Sequence, residues 1–494
     1  MSQLAKEEMK ISFLSLAGMS AVLLGVLATA VIPASAAEET LRTVAAARNL
    51  RIGAAVNDRA LETDNGYRDK LKYEFNSVTP ENAMKWVNVE PQRGVYTWAK
   101  ADAVVSFAQE NKQTVRGHTL VWHGGLPTWV SDGSLSDQEL RGALQRHIET
   151  TVKRYAGRVA VWDVVNEVLA EDGTLRQSIW LKRLGPGYIA DAFRWARAAD
   201  PAAKLYINDF GAEWSTPKRD GLYKLVHDLR TQGVPIDGVG FQTHSMIQDP
   251  IPGTLPLTQL KSTLQLFATL GVDVAVTELD VRLKLPVDAD KLAAQGEVYR
   301  RAATACLAVA RCVSLTMWSL TDKYSWVPSG ISGWGAAHPL DEKLAKKPAY
   351  LQLRSGLTDR DFTSTAVAGH SDKCLSFSGT QVVQAVCGTN QRLLFRRTAT
   401  KTYQISDPSG EQCLKVGIPR AGIQYPLTRG SCAPLLTDYQ FELRPSGDGQ
   451  QIVSVSNSRC VAVEDRSTTA GAVLELVPCS GTPVWELPDM PGHP

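Results

Sequence analysis

The sequence predicts an α/β (β/α)8 barrel followed by a smaller all-β domain. Three observations point to this. Between residues 41 and 357, short β-branched runs alternate eight times with longer amphipathic stretches. The ends of those runs carry Trp, His, Gln, Asn and Glu, where ordinary caps would favour Ser, Gly and Asp. Beyond residue 369 the rhythm gives way to short strands, turn residues and three related cysteine-bearing units.

The eight runs are Ile52–Val56, Phe75–Thr79, Thr114–Leu120, Ala160–Val165, Lys204–Asn208, Gly238–Thr243, Asp273–Thr277 and Ser314–Ser319. Helical patterns between them include Asp102–Asn111, Ser136–Tyr155, Pro186–Ala199, Thr216–Gln232 and Thr258–Leu270. A doubly wound open sheet shares this rhythm. It more often carries a glycine-rich phosphate loop after its first strand, and Ile52-Gly53-Ala54-Ala55-Val56 has no GxGxxG.

The polar strand-end positions are Glu81-Asn82, His118, Trp122-His123, Asn166-Glu167, Asn208-Asp209, Gln242, His244, Glu278, Asp280 and Trp318. In a barrel those ends converge on one face, where active sites sit. Glu167 and Glu278 each close an apolar strand, and a carboxyl at the mouth of a buried strand is costly unless it has a task or a partner. Two such groups suit the cleavage of one glycosidic bond, with one protonating the leaving oxygen and the other attacking the anomeric carbon.

The 494 residues favour two domains. A net charge of +2 gives no polybasic footprint, which argues against a nucleic-acid partner. The 12 Trp are many, and flat indole faces suit sugar C–H surfaces as well as cores. Lys6 and Lys10, the apolar stretch Ile11–Ile32 and Pro33-Ala34-Ser35-Ala36 have the layout of a secretory signal over 1–36. An uncleaved anchor is the alternative, since the stretch is long enough to span a bilayer. The Ala-Ser-Ala site favours cleavage, a secreted, extracellular protein and no membrane contact afterwards. The even count of 8 Cys in an exported chain reads as disulfides: Cys306 lies near Cys312, and the rest fall as Cys374/Cys387, Cys413/Cys432 and Cys460/Cys479. No CxxC spacing or His interval suggests a metal, and no cofactor is implied.

Residues 358–369 lose periodicity and read as a linker. In 370–490, Cys374, Cys413 and Cys460 open three units of about forty residues. The units close at Leu393/Phe395, Phe441/Leu443 and Trp485/Leu487, as a threefold all-β unit would.

The ordered motifs VTPENAMKW, VRGHTLVWH, WDVVNE, YIND, GFQTH, VTELDV and MWSLTDKYSW resemble glycoside hydrolase family ten, the endo-β-1,4-xylanases, across most of 41–357. The resemblance implies a retaining enzyme, with Glu167 as acid/base and Glu278 as nucleophile. His244 and Asp280 are then placed to hold Glu278 ionised, and Asn166 to meet the sugar 2-OH. Glu81, Asn82, Lys85, His123 and Gln242 would bind substrate hydroxyls. Trp122, Trp318 and Trp326 would wall the site, and His118 and Asp163 would orient the acid/base from behind. The partner implied is a xylan-type plant cell-wall polysaccharide, cut by a monomer.

Departures bear on substrate. The family usually reads WHSQLP, whereas this chain has Gly124-Gly125 between His123 and Leu126, so the distal-sugar Gln is Gly125. After YIND the family often continues Tyr-Asn, and here stands Phe210-Gly211. The segment 327–339 is also unusual. Because the family includes an enzyme that cuts the sugar chain from α-tomatine, a saponin or cellulose substrate stays open beside xylan, as does a non-catalytic sugar-binding role. The C-terminal unit resembles a ricin-type β-trefoil carbohydrate-binding domain. Its usual sugar-holding Asp positions are Ser376, Lys415 and Ala462, with Glu464 and Asp465 as possible substitutes, and only Trp485 keeps the lobe-closing Trp.

Overall fold

The structure, a computed structural model, describes residues 40–251, 256–358, 361–399, 402–419, 425–433, 436–447, 449–480 and 484–490. The expected signal, 1–36, lies outside the described residues. Eight strands form the first domain: β1 (Arg51–Val56), β2 (Ser77–Pro80), β3 (Thr114–Gly117), β4 (Val161–Asn166), β5 (Lys204–Asp209), β6 (Gly238–Phe241), β7 (Asp273–Lys284) and β8 (Cys312–Met317). Each pairs in parallel with the next in chain order, and β8 pairs with β1 (Ile52 opposite Leu315), which closes an eight-stranded barrel. All eight expected runs became these strands.

The strands are buried on both faces, as helices outside a barrel require. The whole of β4, for example, is buried, which is why it reads as an apolar run and not as an alternation. The outer helices begin where local chemistry starts them. Asp137–Arg154 opens on a capping box, in which the Ser136 side chain accepts from the Glu139 N–H and the Glu139 carboxyl accepts from the Ser136 N–H. Thr216–Thr231 has Pro217 in its first turn, where a missing N–H costs nothing.

Two features position the site. Strand β7 runs seven residues past the expected end, because Asp280–Leu283 pair in parallel with a short strand, His244–Ile247, and Lys284 pairs with Trp334. This sets His244 opposite Asp280. On β6, Gly240 leaves room for Asn208 on β5: a Cβ at 240 would lie 2.3 Å from Asn208 Oδ1.

The second domain is built from antiparallel pairings around a core that includes Leu375, Phe395, Leu414, Phe441, Val461 and Trp485. Three hairpins recur in it: Lys373–Ser378 with Gln381–Val386, Gln412–Val416 with Leu427–Ser431, and Cys460–Val463 with Leu474–Val477. Each is clipped by one disulfide: Cys374–Cys387, Cys413–Cys432 and Cys460–Cys479. Cys306–Cys312 joins helix Ala289–Leu307 to the start of β8.

The linker expectation needs correction. Phe362–Ser364 and Val367–Ala368 are strands of the second domain, and Phe362 stacks on Phe395 with ring centroids 4.7 Å apart. These apolar residues alternate too briefly for a periodicity to register in sequence.

Candidate active site

Glu278 lies near the end of the barrel segment of β7, buried, with both carboxyl oxygens engaged. Asn208 Nδ2 donates to Oε1 at 2.8 Å, and His244 Nε2 lies 3.2 Å from Oε2. The other face of His244 is held by Asp280, Nδ1 to Oδ2 at 2.9 Å, and the Trp326 indole N–H donates to that same oxygen at 2.9 Å. Burial alone would disfavour the imidazolium, but the carboxylates of Asp280 and Glu278 outweigh it and raise the His244 pKa to about 10. Asp280 is buried as well, yet His244 beside it holds its carboxyl below the ordinary range.

Glu167 follows β4 after a register shift between Asp163 and Val165. Its φ of 56° is unusual for a residue with a side chain, and its N–H is tied to Asn208 O at 2.8 Å. The turn re-aims the side chain into the barrel mouth. There the carboxyl is held more loosely than that of Glu278. Asn166 Nδ2 and Gln242 Nε2 each lie 3.4 Å from Oε1, and His123 Nε2 is 3.9 Å from Oε2. Burial lowers the His123 pKa against the pull of Glu167. Asn208 Nδ2 also donates to Asn166 Oδ1 at 2.8 Å, so a chain of amides connects the two glutamates.

Both glutamates line one cavity of about 520 Å³ with Glu81, Asn82, Lys85, His118, Trp122, Asn166, His244, Trp318 and Trp326. Lys85 Nζ donates to Asn82 Oδ1 at 2.9 Å and lies 5.0 Å above the Trp122 ring. Burial lowers its pKa while Glu278, Glu81 and Glu167 oppose that. Glu81 is pushed up by burial. Gln242 reaches Glu167 and Asn166 from β6. Gly124 fits because the Trp122 ring covers it: a Cβ there would lie 2.8 Å from the indole.

His118 and Asp163 form a cluster of their own. Arg116 clamps Asp163 through Nε at 3.0 Å and through a second, close contact, and His118 Nδ1 stands 3.1 Å from it. Burial opposes the charge on Asp163, but Arg116 and His118 hold its pKa below the ordinary range. The bonds of the Glu167 carboxyl run to Asn166 and Gln242, and His118 instead meets the edge of Trp318 at 5.1 Å. The pair thus braces β3 against β4 and does not bond to Glu167.

Sequence reasoning set Asn208 and Asp209 among the polar strand ends but gave neither a role in the site. It left out the buried partners of Asp209. Asp209 Oδ2 accepts from the Leu169 N–H at 3.1 Å, and Lys218 Nζ lies 3.2 Å from Asp209 Oδ1 and 3.4 Å from the centre of the Phe210 ring. Burial raises Asp209 to about 6 despite Lys218. Glu213, buried behind, accepts the Thr243 N–H at 2.6 Å and is raised by burial to about 7.

This geometry gives one carboxyl fixed at both oxygens beside a cation, and a second with room to exchange a proton. Among the described residues no group of three or more His, Cys, Asp or Glu is arranged to hold a metal ion.

Comparison with known proteins agrees in extent with the barrel. The family model described as Glycosyl hydrolase family 10 matches residues 40–355. An endo-1,4-beta-xylanase of Agaricus bisporus is 48% identical over 283 residues, covering 57% of this chain and 83% of its own. Endo-1,4-beta-xylanase C of Phanerodontia chrysosporium is 42% identical over 329 residues, covering 66% and 80%. The crystal structure of xylanase 10B from Thermotoga petrophila in complex with xylobiose superposes with a TM-score of 0.61 at 40% identity, covering 64% of this chain and 97% of that one.

Proposed function

This chain belongs to glycosyl hydrolase family 10, and on that footing we propose that it is an endo-1,4-β-xylanase acting by double displacement with net retention. The observation that carries the reading is the linkage of Glu167 and Glu278 through Asn166 and Asn208 at the mouth of one cavity. Glu278 attacks the anomeric carbon as Glu167 gives its proton to the departing glycosidic oxygen, leaving a glycosyl ester on Glu278. Glu167, now a carboxylate, takes a proton from water, and the water oxygen displaces Glu278 from carbon. The imidazolium of His244 faces Glu278 in both steps and offsets the charge it carries at either end. Asn166 is placed to meet the 2-OH, where contacts tighten in the transition state. Lys85, Asn82, Glu81, His123 and Gln242 are hydroxyl partners in this reading, and Trp122, Trp318 and Trp326 are its walls.

The enzyme in this proposal is secreted. Four disulfides support it. Its second domain is a β-trefoil of ricin type, a reading supported by the three disulfide-clipped hairpins around a shared core. With Ala462 buried and Lys415 lying over the Tyr439 ring, sugar binding there would use other contacts than the usual Asp.

The test is reducing-sugar release from xylan, cellulose and α-tomatine in parallel, with NMR of the first product. Release from xylan with the β-anomer appearing first is expected. Release only from one of the other two substrates would replace the specificity, and an α-anomer first would remove the double displacement.

A further inference from the structure

Gln242 and Thr243 join β6 to the short strand His244–Ile247. The residues on either side of Thr243 serve opposite sides of the site. Gln242 Nε2 lies 3.4 Å from Glu167 Oε1, and His244 Nε2 lies 3.2 Å from Glu278 Oε2. The Gln242 backbone is tied into the barrel wall: its N–H donates to Asp209 O at 3.0 Å, and its O accepts the Glu278 N–H at 3.1 Å. A rotation at Thr243 would therefore swing His244 away while Gln242 stayed.

Thr243 has a φ of +59°, a region that a β-branched residue occupies only when its surroundings hold it there. The hold comes from the loop after β5. The Thr243 N–H donates to Glu213 Oε1 at 2.6 Å. That loop is a firm anchor, because the N–H groups of Trp214 and Ser215 both bond to Gly211 O, at 3.2 and 2.8 Å. Glu213 is 1% exposed, and its Oε2 has no hydrogen-bond partner among the described residues. A buried carboxyl with one oxygen unpaired is a costly group to keep, and its bond to the Thr243 amide is what the site gains from it. Oε1 can accept that N–H whether or not Oε2 carries a proton, so the hold does not depend on the charge.

We infer that Glu213 is a positioning residue for the hydrolytic reaction: by pinning the Thr243 amide it keeps Gln242 beside Glu167 and His244 beside Glu278 at the same time. The inference rests on the hydrolase reading above.

The test measures kcat and KM on xylohexaose for Glu213→Ala, Glu213→Asp and Glu213→Gln, with circular dichroism giving the folded fraction of each. In Glu213→Ala, kcat per folded enzyme should fall by roughly tenfold, the scale of one lost hydrogen bond to a buried carboxyl, with little change in KM. Asp keeps the charge but is one methylene too short to reach the Thr243 amide, so it should lose as much. Gln keeps the reach and an acceptor oxygen without the charge, so it should recover most of kcat. The Asp and Gln pair decides the matter even if the Ala variant does not fold. Loss in Gln with activity kept in Asp would mean that the charge acts and not the hold. A loss confined to KM, or kcat unchanged in Asp, would likewise overturn the inference. If the unaltered enzyme cleaves neither xylohexaose nor xylan, it is the hydrolase reading that fails, and the positioning role falls with it.

Discussion

Asn208 Nδ2 lies 2.8 Å from Glu278 Oε1. The same nitrogen lies 2.8 Å from Asn166 Oδ1, and Thr277 Oγ1 donates to Asn208 Oδ1 at 2.7 Å. One side chain on β5 therefore sets the spacing between the strand ends that present the two glutamates. Gly240 is the small neighbour that lets it do so.

Replacing Asn208 by Ala would leave Glu278 Oε1 and Asn166 Oδ1 buried without that donor. Turnover should fall by roughly 10²-fold, with the loss in kcat and little in KM, because the interaction positions the attacking group. Steady-state kinetics on xylohexaose decide this, and a loss confined to KM would mean that Asn208 serves binding instead.

In the proposed double displacement, Glu278→Ala removes the atom that bonds to carbon. A loss on the order of 10⁴-fold or more is expected. Azide should restore turnover of an activated aryl xylobioside and give the α-xylosyl azide, detected by NMR. Undiminished activity in this variant would eliminate Glu278 as nucleophile.

The imidazolium of His244 gives a pH signature. Its pKa rises from 6.5 to about 10 on folding, so its contribution to stability is complete below about 6.5 and disappears as pH climbs through about 10. The melting temperature of the parent should therefore drop more between pH 6.5 and 10 than that of His244→Asn. Calorimetry across this range checks it, and parallel curves would contradict it.

Reduction should act on the two domains unequally. The bridges Cys413–Cys432 and Cys460–Cys479 each span 19 residues, and a loop of that size is worth roughly 3 kcal/mol by chain entropy. Cys306–Cys312 spans 6, and its barrel has a far larger core. With dithiothreitol, a calorimetric transition of the β domain should move down while hydrolysis of soluble xylan persists. Joint loss of both would mean that the domains unfold as one.

The barrel was legible because each strand is a short β-branched run with a polar residue at its carboxyl end, a pattern that survives without knowledge of neighbours. That Glu167, Glu278 and His244 would meet at one cavity was legible for the same reason. What escaped depends on contacts between distant strands. Asn208 matters only once β4 and β7 stand on either side of it. Trp326 reads as a wall, yet its indole N–H reaches Asp280 across 46 positions. Lys218 sits on a helix where a cation ordinarily faces water, and only the closed barrel shows it buried against Asp209. That Asp163 is clamped by Arg116 could not be read in advance, because Arg116, inside β3, carries no signal that it points inward.

The Phe210 ring roofs the Lys218 ammonium, which has no contact with bulk solvent. Dissolved ions can crowd a surface pair but cannot reach this one. The segment it steadies through Asp209 and Leu169 begins two residues after Glu167, so the Glu167 turn should keep its posture in concentrated brine, where looser charge pairs on the outer helices let go.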